Sequence, residues 1–290
     1  MINLAPGGPA AIMNMQTTAE QRAALTKELG LDHPVVERYG IWLKDAVTGN
    51  LGLSLDSQEP VSKLIGQRFP NTVLLAMVTL VVTLLVGLPI GVMAAIKRGT
   101  ILDRFSVVLS TVGQAVPDFW LGIILIIAFS VALRVLPAAG MLTAGSDFSI
   151  IDLARHMVMP VLTLSVVMLP NIVRFTRSAM LDVLELDYIR TARAKGLPMW
   201  KVYIRHALRN ALIPIVAIVG LIIPLLLGGS VVVESVFGWP GMGRLAVQAA
   251  TNRDYNLVMG VTVFVGAIVI LVNLLTDVVY SVLDPRIRHE

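Results

Sequence analysis

The densest group of chemically active side chains in this sequence is a block of cations at residues 187–210. Cations bind anionic groups, either the phosphates of lipids or the carboxylates of a protein partner. Gly196 and Pro198 predict a break within the block, because glycine suits the position after a helix and proline suits the first turn of the next one. The block is therefore predicted to form helix, turn and helix, carrying Arg190, Arg193, Lys195, Lys201, Arg205 and Arg209.

Two functions fit this block. A helix that lies on the membrane surface would gain about 1 kcal/mol per basic residue from anionic lipid. A docking helix would instead insert into a groove of a soluble partner. The glycine–proline hinge and the small residues Ala192 and Gly196, which let another chain approach closely, favour docking, since adsorption to lipid needs neither.

A second candidate is Asp118, which is the single ionisable residue in the apolar run 105–133. An acid within a membrane is costly to bury and usually functional, so Asp118 is a candidate to face a translocation path and meet a substrate amine. Pro117 beside it interrupts the hydrogen bonds of a helix, which makes a kink or an exposed turn an equal alternative.

No arrangement of side chains predicts catalysis or a metal site. The sequence lacks the Gly-x4-Gly-Lys-Ser/Thr loop that binds ATP phosphates and the His-Glu-x-x-His pattern of zinc enzymes. Its four histidines are scattered, and it contains no cysteine, which excludes disulfides, thiolate ligands and a thiol nucleophile. We therefore expect no cofactor, no metal and no catalytic residue in this chain.

The elements that position these residues are apolar runs long enough to cross a membrane. Hydrophobic residues make up 56% of the 290 residues and charged residues only 14%. A spanning helix needs about 20 apolar residues, and an open sheet cannot span, because lipid leaves its edge groups unpaired. We predict an all-α integral membrane protein with five transmembrane helices, at about residues 72–96, 105–133, 156–174, 211–233 and 257–281.

Short loops rich in lysine and arginine mark the cytoplasmic side of a membrane. Lys97, Arg98 and Arg104 follow the first run, the cationic block follows the third, and Arg286 with Arg288 ends the chain. These segments fall on one side if the chain crosses five times, so the C-terminus is predicted to be cytoplasmic. The cations then contact membrane lipid, and since they form no groove-reading motif, no nucleic acid is expected as a partner.

The same topology divides the chain into an extracytoplasmic helical segment at 1–70, a transmembrane domain at 71–285 with a cytoplasmic loop at 177–209, and a cytoplasmic tail at 286–290. Capping residues predict two short helices in the first segment, near 17–30 and 32–49. No signal peptide or span precedes that segment, so we expect that a first transmembrane helix is missing.

Two glycine patterns predict close packing. The turn at 238–243 is predicted to be a tight, rigid loop outside the membrane, with Glu234 placed to form an ion pair at its mouth. Gly87 and Gly91 form a Gly-x3-Gly pair, which allows two helices to approach closely but is also common by chance in glycine-rich membrane proteins.

Over nearly all 290 residues the chain resembles the membrane subunits of ATP-binding-cassette importers. Their signature loop is Glu-Ala-Ala, three residues, Gly, nine residues and Ile-x-Leu-Pro. Ala192, Gly196 and Leu208 match it, and the departures from it resemble the branch that imports dipeptides, oligopeptides and nickel. The stretches that carry the resemblance include DYIRTARAKGL, HALRNALIP, FTRSAMLDVL, FGWPGMGRL and NLLTDVVYSVLDPRIR.

The resemblance implies a permease of the type I importer fold in a bacterial inner (plasma) membrane. Members of this family have six transmembrane helices. It implies pairing with a second homologous permease, with two cytoplasmic ATPase subunits that bind ATP and magnesium, and with an extracytoplasmic substrate-binding protein. The imported solute would be a dipeptide or oligopeptide, with nickel chelates and glutathione as alternatives. The partners, and not this chain, would hydrolyse ATP.

The resemblance also implies roles for particular residues. The loop helix would dock in a groove of the ATPase subunit through Tyr188, Arg190, Thr191, Ala192, Arg193, Lys195, Gly196 and Leu197. The outer turn would meet the binding protein or gate the pore, through Glu234, Trp239, Pro240, Gly241 and Gly243. A secondary transporter or channel that works alone is the rival of another class, but it needs paired membrane charges and inverted repeats, for which the sequence gives no clear sign.

Overall fold

The computed structural model describes residues 34–283, and within them the chain is helical apart from turns, loops and a bridge between Leu53 and Pro60. Two segments are π-helical: Ile126–Ala132 follows the helix Asp118–Leu125, and Val202–Leu208 lies between the helices Met199–Lys201 and Arg209–Val236. The α-helices are α1 (Val35–Val47), α2 (Val61–Ile96), α3 (Ile101–Ala115), α4 (Asp118–Leu125), α5 (Ile150–Leu184), α6 (Asp187–Ala194), α7 (Met199–Lys201), α8 (Arg209–Val236), α9 (Met242–Thr251) and α10 (Tyr255–Leu283).

Four segments of the described chain are helical, long and apolar enough to cross a membrane: Val61–Ile96, Ile150–Leu184, Met199–Gly228 and Tyr255–Val279. We call the end of the bundle that carries α6 the inner end, and the end that carries α9 the outer end. A fifth crossing is made by α3 and Asp118–Ala132, which are bent by 94° relative to each other. The predicted all-α fold is confirmed, and the described chain has four such spans, or five when the bent pair counts as one.

The bent pair connects the two ends of the bundle. At the inner end, Asp103 near the start of α3 accepts hydrogen bonds from Arg177. At the outer end, Gly140, which follows the pair, donates from its backbone N–H to the carbonyl of Phe237 at 2.8 Å. The chain therefore passes from one side of the bundle to the other despite the bend.

The single span predicted at 105–133 consists of two helices that meet at a bend. Val116 has extended backbone angles (φ −83°, ψ 121°), and Pro117 precedes the first residue of α4. Proline disfavours the helical conformation in the residue before it, which explains why α3 ends at Ala115. The kink predicted from Pro117 is confirmed.

Two spanning helices run beyond their predicted bounds. α2 begins at Val61 rather than near 72, and α5 covers Ile150–Leu184 rather than 156–174. Helices of 36 and 35 residues are each about 50 Å long, whereas the hydrocarbon core is about 30 Å thick. The apolar runs mark the hydrocarbon layer, and the helices continue out of it.

In the N-terminal segment, the second of the two predicted helices is confirmed as α1 (Val35–Val47). The first, near 17–30, and the tail at 286–290 lie outside the described residues. The stretch between α1 and α2 is held to the outer end, where Ser54 Oγ donates to the buried carboxylate of Asp254 and Asn256 Nδ2 donates to the carbonyl of Leu53.

The contact between α2 and α5 depends on the predicted glycine pair. A Cβ atom added at Gly87 would lie 2.7 Å from Ile172 Cγ2, and one added at Gly91 would lie 2.6 Å from Thr176 Cβ and 2.9 Å from the carbonyl oxygen of Val173. No real Cβ tolerates such distances to a backbone atom. The close helix approach predicted from this pair is confirmed.

We expect Gly91→Leu to separate α2 from α5 and to destabilise the protein by about 1–3 kcal/mol, as overpacking usually does. The matched control is Gly66→Leu, because Gly66 lies in the same helix and a Cβ there meets no described residue within 4 Å. Thermal unfolding of the two purified variants in detergent measures the difference. Equal midpoints for both variants would contradict the packing role of Gly91.

Candidate functional site

The helix that the sequence predicts to dock, α6, has one face buried against the spans. Ile189 is fully buried and Ala192 is only 7% exposed. Both belong to an apolar cluster with residues from the inner ends of the neighbouring helices, namely Val92, Ala95, Ala179, Met180, Val202, Ala207 and Ala211. α6 therefore packs on the inner ends of α2 and α5 and on the start of α8.

This burial corrects one predicted contact. Ala192 was expected to touch a partner protein, but its side chain faces the spans of its own chain. Its small size allows α6 to approach them closely. Leu197 is half-buried and packs on the edge of the same cluster.

The turn after α6 has the predicted form. Gly196 has φ +73°, and its backbone N–H donates to the carbonyl of Arg193 at 2.9 Å. Pro198 then precedes the first residue of α7. A Cβ at Gly196 would meet nothing within 4 Å among residues 34–283, so in that part of the chain glycine is needed here for its left-handed conformation and not for space.

Polar contacts hold α6 against the segment that leads into α8. The hydroxyl of Tyr188 donates to the carbonyl of His206 at 3.3 Å and accepts from Asn210 Nδ2 at 2.6 Å. In the segment that leads into α8, Val202 and Ala207 are buried, whereas Trp200 and Ile204 are exposed. Regular α-helical spacing from the sequence would have placed Trp200, Ile204 and Ala207 on one face, but the backbone of Val202–Leu208 is π-helical.

The opposite face of α6 is exposed and cationic. Tyr188 is 40% exposed. Arg190 pairs with Asp187 at 3.3 Å, and both side chains remain largely in solvent. Arg193 and Lys195 are exposed and form no ion pair within the described residues. α6 therefore has an apolar face on the spans and a cationic face away from them. The exposed set, which we call the docking face, is Tyr188, Arg190, Thr191, Arg193, Lys195 and Gly196.

An ion pair that the sequence analysis missed stabilises the inner end. Arg177 donates from Nε to Asp103 Oδ1 at 2.6 Å and from Nη2 to Asp103 Oδ2 at 3.0 Å. The backbone N–H of Gly99 donates to the same carboxylate at 2.9 Å. This pair fixes the loop before α3 to α5, beside the cluster that holds α6. The sequence indicates this ion pair only through Asp103, which is the single acid among the cations of "IKRGTILDR".

At the outer end, the structure places Glu234 in the core and not at an exposed mouth. Its side chain is 0% exposed and forms no ion pair with any described residue. Instead, Oε1 accepts from the hydroxyls of Thr72 and Ser230, at 2.7 and 3.1 Å, and Oε2 accepts from the backbone N–H of Arg244 at 3.1 Å. The predicted ion pair is wrong, since neutral hydroxyls and the N-terminus of α9 take the place of a cation.

The predicted outer turn is packed against α2 as a rigid unit. Trp239 is fully buried, and its indole N–H donates to the carbonyl of Asn71 at 3.0 Å. Asn71 Nδ2 donates in return to the carbonyl of Pro240 at 2.8 Å. A Cβ at Gly241 would collide with the carboxylate of Glu234, and a Cβ at Gly243 would collide with Val231. The predicted tight loop is confirmed, and close approach is the reason for both glycines.

Asp118 lies at the bend between α3 and α4, half-buried, as the first residue of α4. Its Oδ1 accepts from the backbone N–H of Phe119 at 2.7 Å, which stabilises the start of that helix. Its role in a translocation path stays a prediction. Within residues 34–283, no group of three or more histidine, aspartate or glutamate side chains is arranged to hold a metal ion.

Comparison with known sequences gives consistent matches. The family described as "Binding-protein-dependent transport system inner membrane component" matches residues 87–289. The oligopeptide transport system permease protein AppB of Bacillus subtilis is 40% identical over 291 residues, which cover 100% of this chain and 92% of that protein. The dipeptide transport system permease protein DppB of Escherichia coli K12 is 40% identical over 312 residues, with the same two shares.

A comparison of folds agrees with these matches. A chain of the MetNI methionine ABC transporter, in an inward-facing conformation, superposes with a TM-score of 0.63 and covers 76% of this chain and 96% of its own length. The two sequences are 19% identical, so this likeness shows the fold alone. It confirms the importer permease fold predicted from the sequence.

Proposed function

We propose that this chain is a permease subunit that imports short peptides. The premise is that the chain belongs to the family of binding-protein-dependent transport system inner membrane components. The observation that carries the proposal is the two-faced helix α6, buried on three spans and cationic on its exposed side. The names of the relatives in Bacillus subtilis and Escherichia coli support a dipeptide or oligopeptide as the solute.

In the proposed assembly, the docking face of α6 lies in a surface groove of a cytoplasmic ATPase subunit. Closure of two such subunits on ATP and magnesium would pull on α6, and the apolar cluster would transmit that displacement to α2, α5 and α8. The chemistry of ATP hydrolysis belongs to the partners. This chain contributes the helix that contacts the ATPase subunit. Together with a second homologous permease, it also forms the path through a bacterial inner membrane.

The outer turn supplies the opposite contact in this proposal. Trp239 and the hydrogen bonds of Glu234 tie the turn to α2 and α9, so the outer end is a preformed surface that an extracytoplasmic binding protein can press on. Because α2 runs from this surface to the cluster under α6, docking outside and ATP binding inside would act on the same helix.

The test is uptake by liposomes that contain the complete importer. We expect a labelled dipeptide to accumulate inside only when ATP is present on the α6 side and the binding protein on the other. Omission of either should abolish uptake. Accumulation of a nickel chelate or glutathione, with no competition by dipeptides, would retain the importer and reject the peptide substrate. Uptake of any of these solutes by this chain alone would contradict the proposal that it works as a subunit of an ATP-driven importer.

A further inference from the structure

The inner half of the bundle contains a cleft, lined by polar side chains together with Val107 and Val173, that none of the roles above uses. It lies between α3 and α5 and has a volume of about 320 Å³. Small-molecule sites in proteins have volumes of about 300–1,000 Å³, so the cleft has room for a small solute. Its polar lining consists of Ser106, Ser110, Thr111, Gln114, Arg174 and Arg177.

This lining gives α3 two different faces. Ser106, Ser110 and Gln114 recur at helical spacing and face the cleft, whereas Phe105, Val108 and Val112 form an exposed apolar face. α3 is part of a membrane span, and a polar stripe on such a helix faces a protein interior or a water-filled space and not hydrocarbon. The stripe extends from the inner end of the bundle toward the bend at Pro117.

The cleft carries one uncompensated positive charge. Arg177 is engaged by Asp103 through two hydrogen bonds. Arg174 lies one turn of α5 away and forms no ion pair within the described residues; its guanidinium group lies 5.5 Å from the ring centroid of Phe175. A guanidinium group matches a carboxylate in charge and in planar geometry, so it is suited to bind one.

The remaining polar groups are mainly acceptors. The hydroxyls of Ser106, Ser110 and Thr111 donate their protons to backbone carbonyls of α3, which leaves their oxygen lone pairs free to accept. Gln114 donates to Asn171 and retains its carbonyl oxygen. The cleft therefore offers one cation for a carboxylate and several acceptors for N–H groups, as a short peptide requires.

We propose that this cleft is a substrate-contact site on the inner half of the pathway, with Arg174 binding the C-terminal carboxylate of the transported peptide. The inference rests on the proposed function and names the residue that meets the substrate. A lipid phosphate offers the same anionic chemistry to Arg174. The apolar face of α3 is opposite to the cleft, so the substrate carboxylate is the source to which we commit.

The absence of cysteine from the chain allows a direct test. Ser110→Cys places a thiol in the cleft of the full importer, assembled with cysteine-free partner subunits in nanodiscs. The rates at which an anionic and a cationic methanethiosulfonate label this thiol are measured. Each rate is divided by the rate at which the same reagent labels a free thiol in solution. We expect the normalised ratio to favour the anionic reagent roughly fivefold, and Arg174→Gln to return it to about one. Val108→Cys, on the apolar face, is the control and should label slowly with both.

Protection by substrate completes the test. A dipeptide at millimolar concentration should slow the labelling of the Ser110→Cys thiol, whereas the same dipeptide with an amidated C-terminus should not. Arg174→Lys should retain part of the protection and Arg174→Gln should lose it. The same importer is assayed for peptide uptake in parallel, so that a failure of this inference is distinguished from a failure of the proposed function.

Three results would overturn the inference. A normalised ratio near one, or a ratio that Arg174→Gln leaves unchanged, would show that Arg174 does not set the charge of the cleft. Equal protection by the free and the amidated dipeptide would remove the carboxylate contact. Protection that follows the anionic lipid content of the nanodisc, and not the peptide, would identify the site as one for lipid headgroups.

Discussion

Gly196→Trp is expected to abolish ATP-driven uptake, by at least about 100-fold, while the chain still inserts and assembles with its partner permease. The native φ of +73° costs a non-glycine residue about 1–2 kcal/mol, which a helical bundle of this size tolerates. The indole would project into the space beyond the docking face, because no atom of the described chain lies within 4 Å of a Cβ at this position. The loss of uptake would therefore come from blocked docking of α6 on the ATPase subunit and not from misfolding.

Gly196→Asn is the matched control, since asparagine adopts the left-handed conformation at helix ends more readily than other residues and adds little volume. We expect it to retain most of the uptake. Uptake is measured in liposomes, and assembly is measured by co-purification of the permease pair. Uptake by Gly196→Trp that is equal to that of the unmodified importer would show that no partner closes over this turn.

Glu234→Ala is expected to destabilise the outer end strongly. The substitution removes the acceptor for two buried hydroxyls and for the N–H of Arg244, and it opens a cavity against Gly241. Each buried donor left unpaired costs about 1–3 kcal/mol, so the loss exceeds that of an ordinary surface change. The midpoint of thermal unfolding should fall by many degrees, and the outer turn should become accessible to proteases.

Two controls separate this effect from a loss of charge. Glu234→Gln keeps the shape and one carbonyl oxygen, so it should lie between the alanine variant and the unmodified chain. Glu59→Ala removes a carboxylate that pairs with Lys63 at the exposed surface, and it should change stability by less than about 1 kcal/mol. Equal midpoints for Glu234→Ala and Glu59→Ala would contradict the structural role of Glu234.

Features set by neighbouring residues were predictable from the sequence. The turn after α6 followed from the order of Gly196 and Pro198, because both residues act on the backbone around them. A close helix contact at Gly87 and Gly91 was allowed by their spacing, although the sequence did not identify α5 as the partner helix. The number of spans followed from the length of the apolar runs, since the hydrocarbon layer imposes it.

Features set by distant residues were not predictable. Glu234 was expected to find a cation, but it is buried beside Thr72, which lies 162 residues away in the chain. The bidentate pair of Asp103 and Arg177 joins positions 74 residues apart. Ala192 was assigned to the wrong face of α6, because its small size suits packing on its own spans as well as contact with a partner. In each case tertiary packing selected between local alternatives.

The most direct test of the central claim replaces Arg193, on the docking face of α6, with a photo-crosslinking benzophenone residue in the complete importer in lipid nanodiscs. Mass spectrometry then identifies what the residue touches. If α6 docks as proposed, we expect an adduct with the cytoplasmic ATPase subunit, formed at the rim of its groove. Adducts with phospholipid and none with protein would contradict it, because α6 would then lie on the membrane surface as a lipid-binding helix.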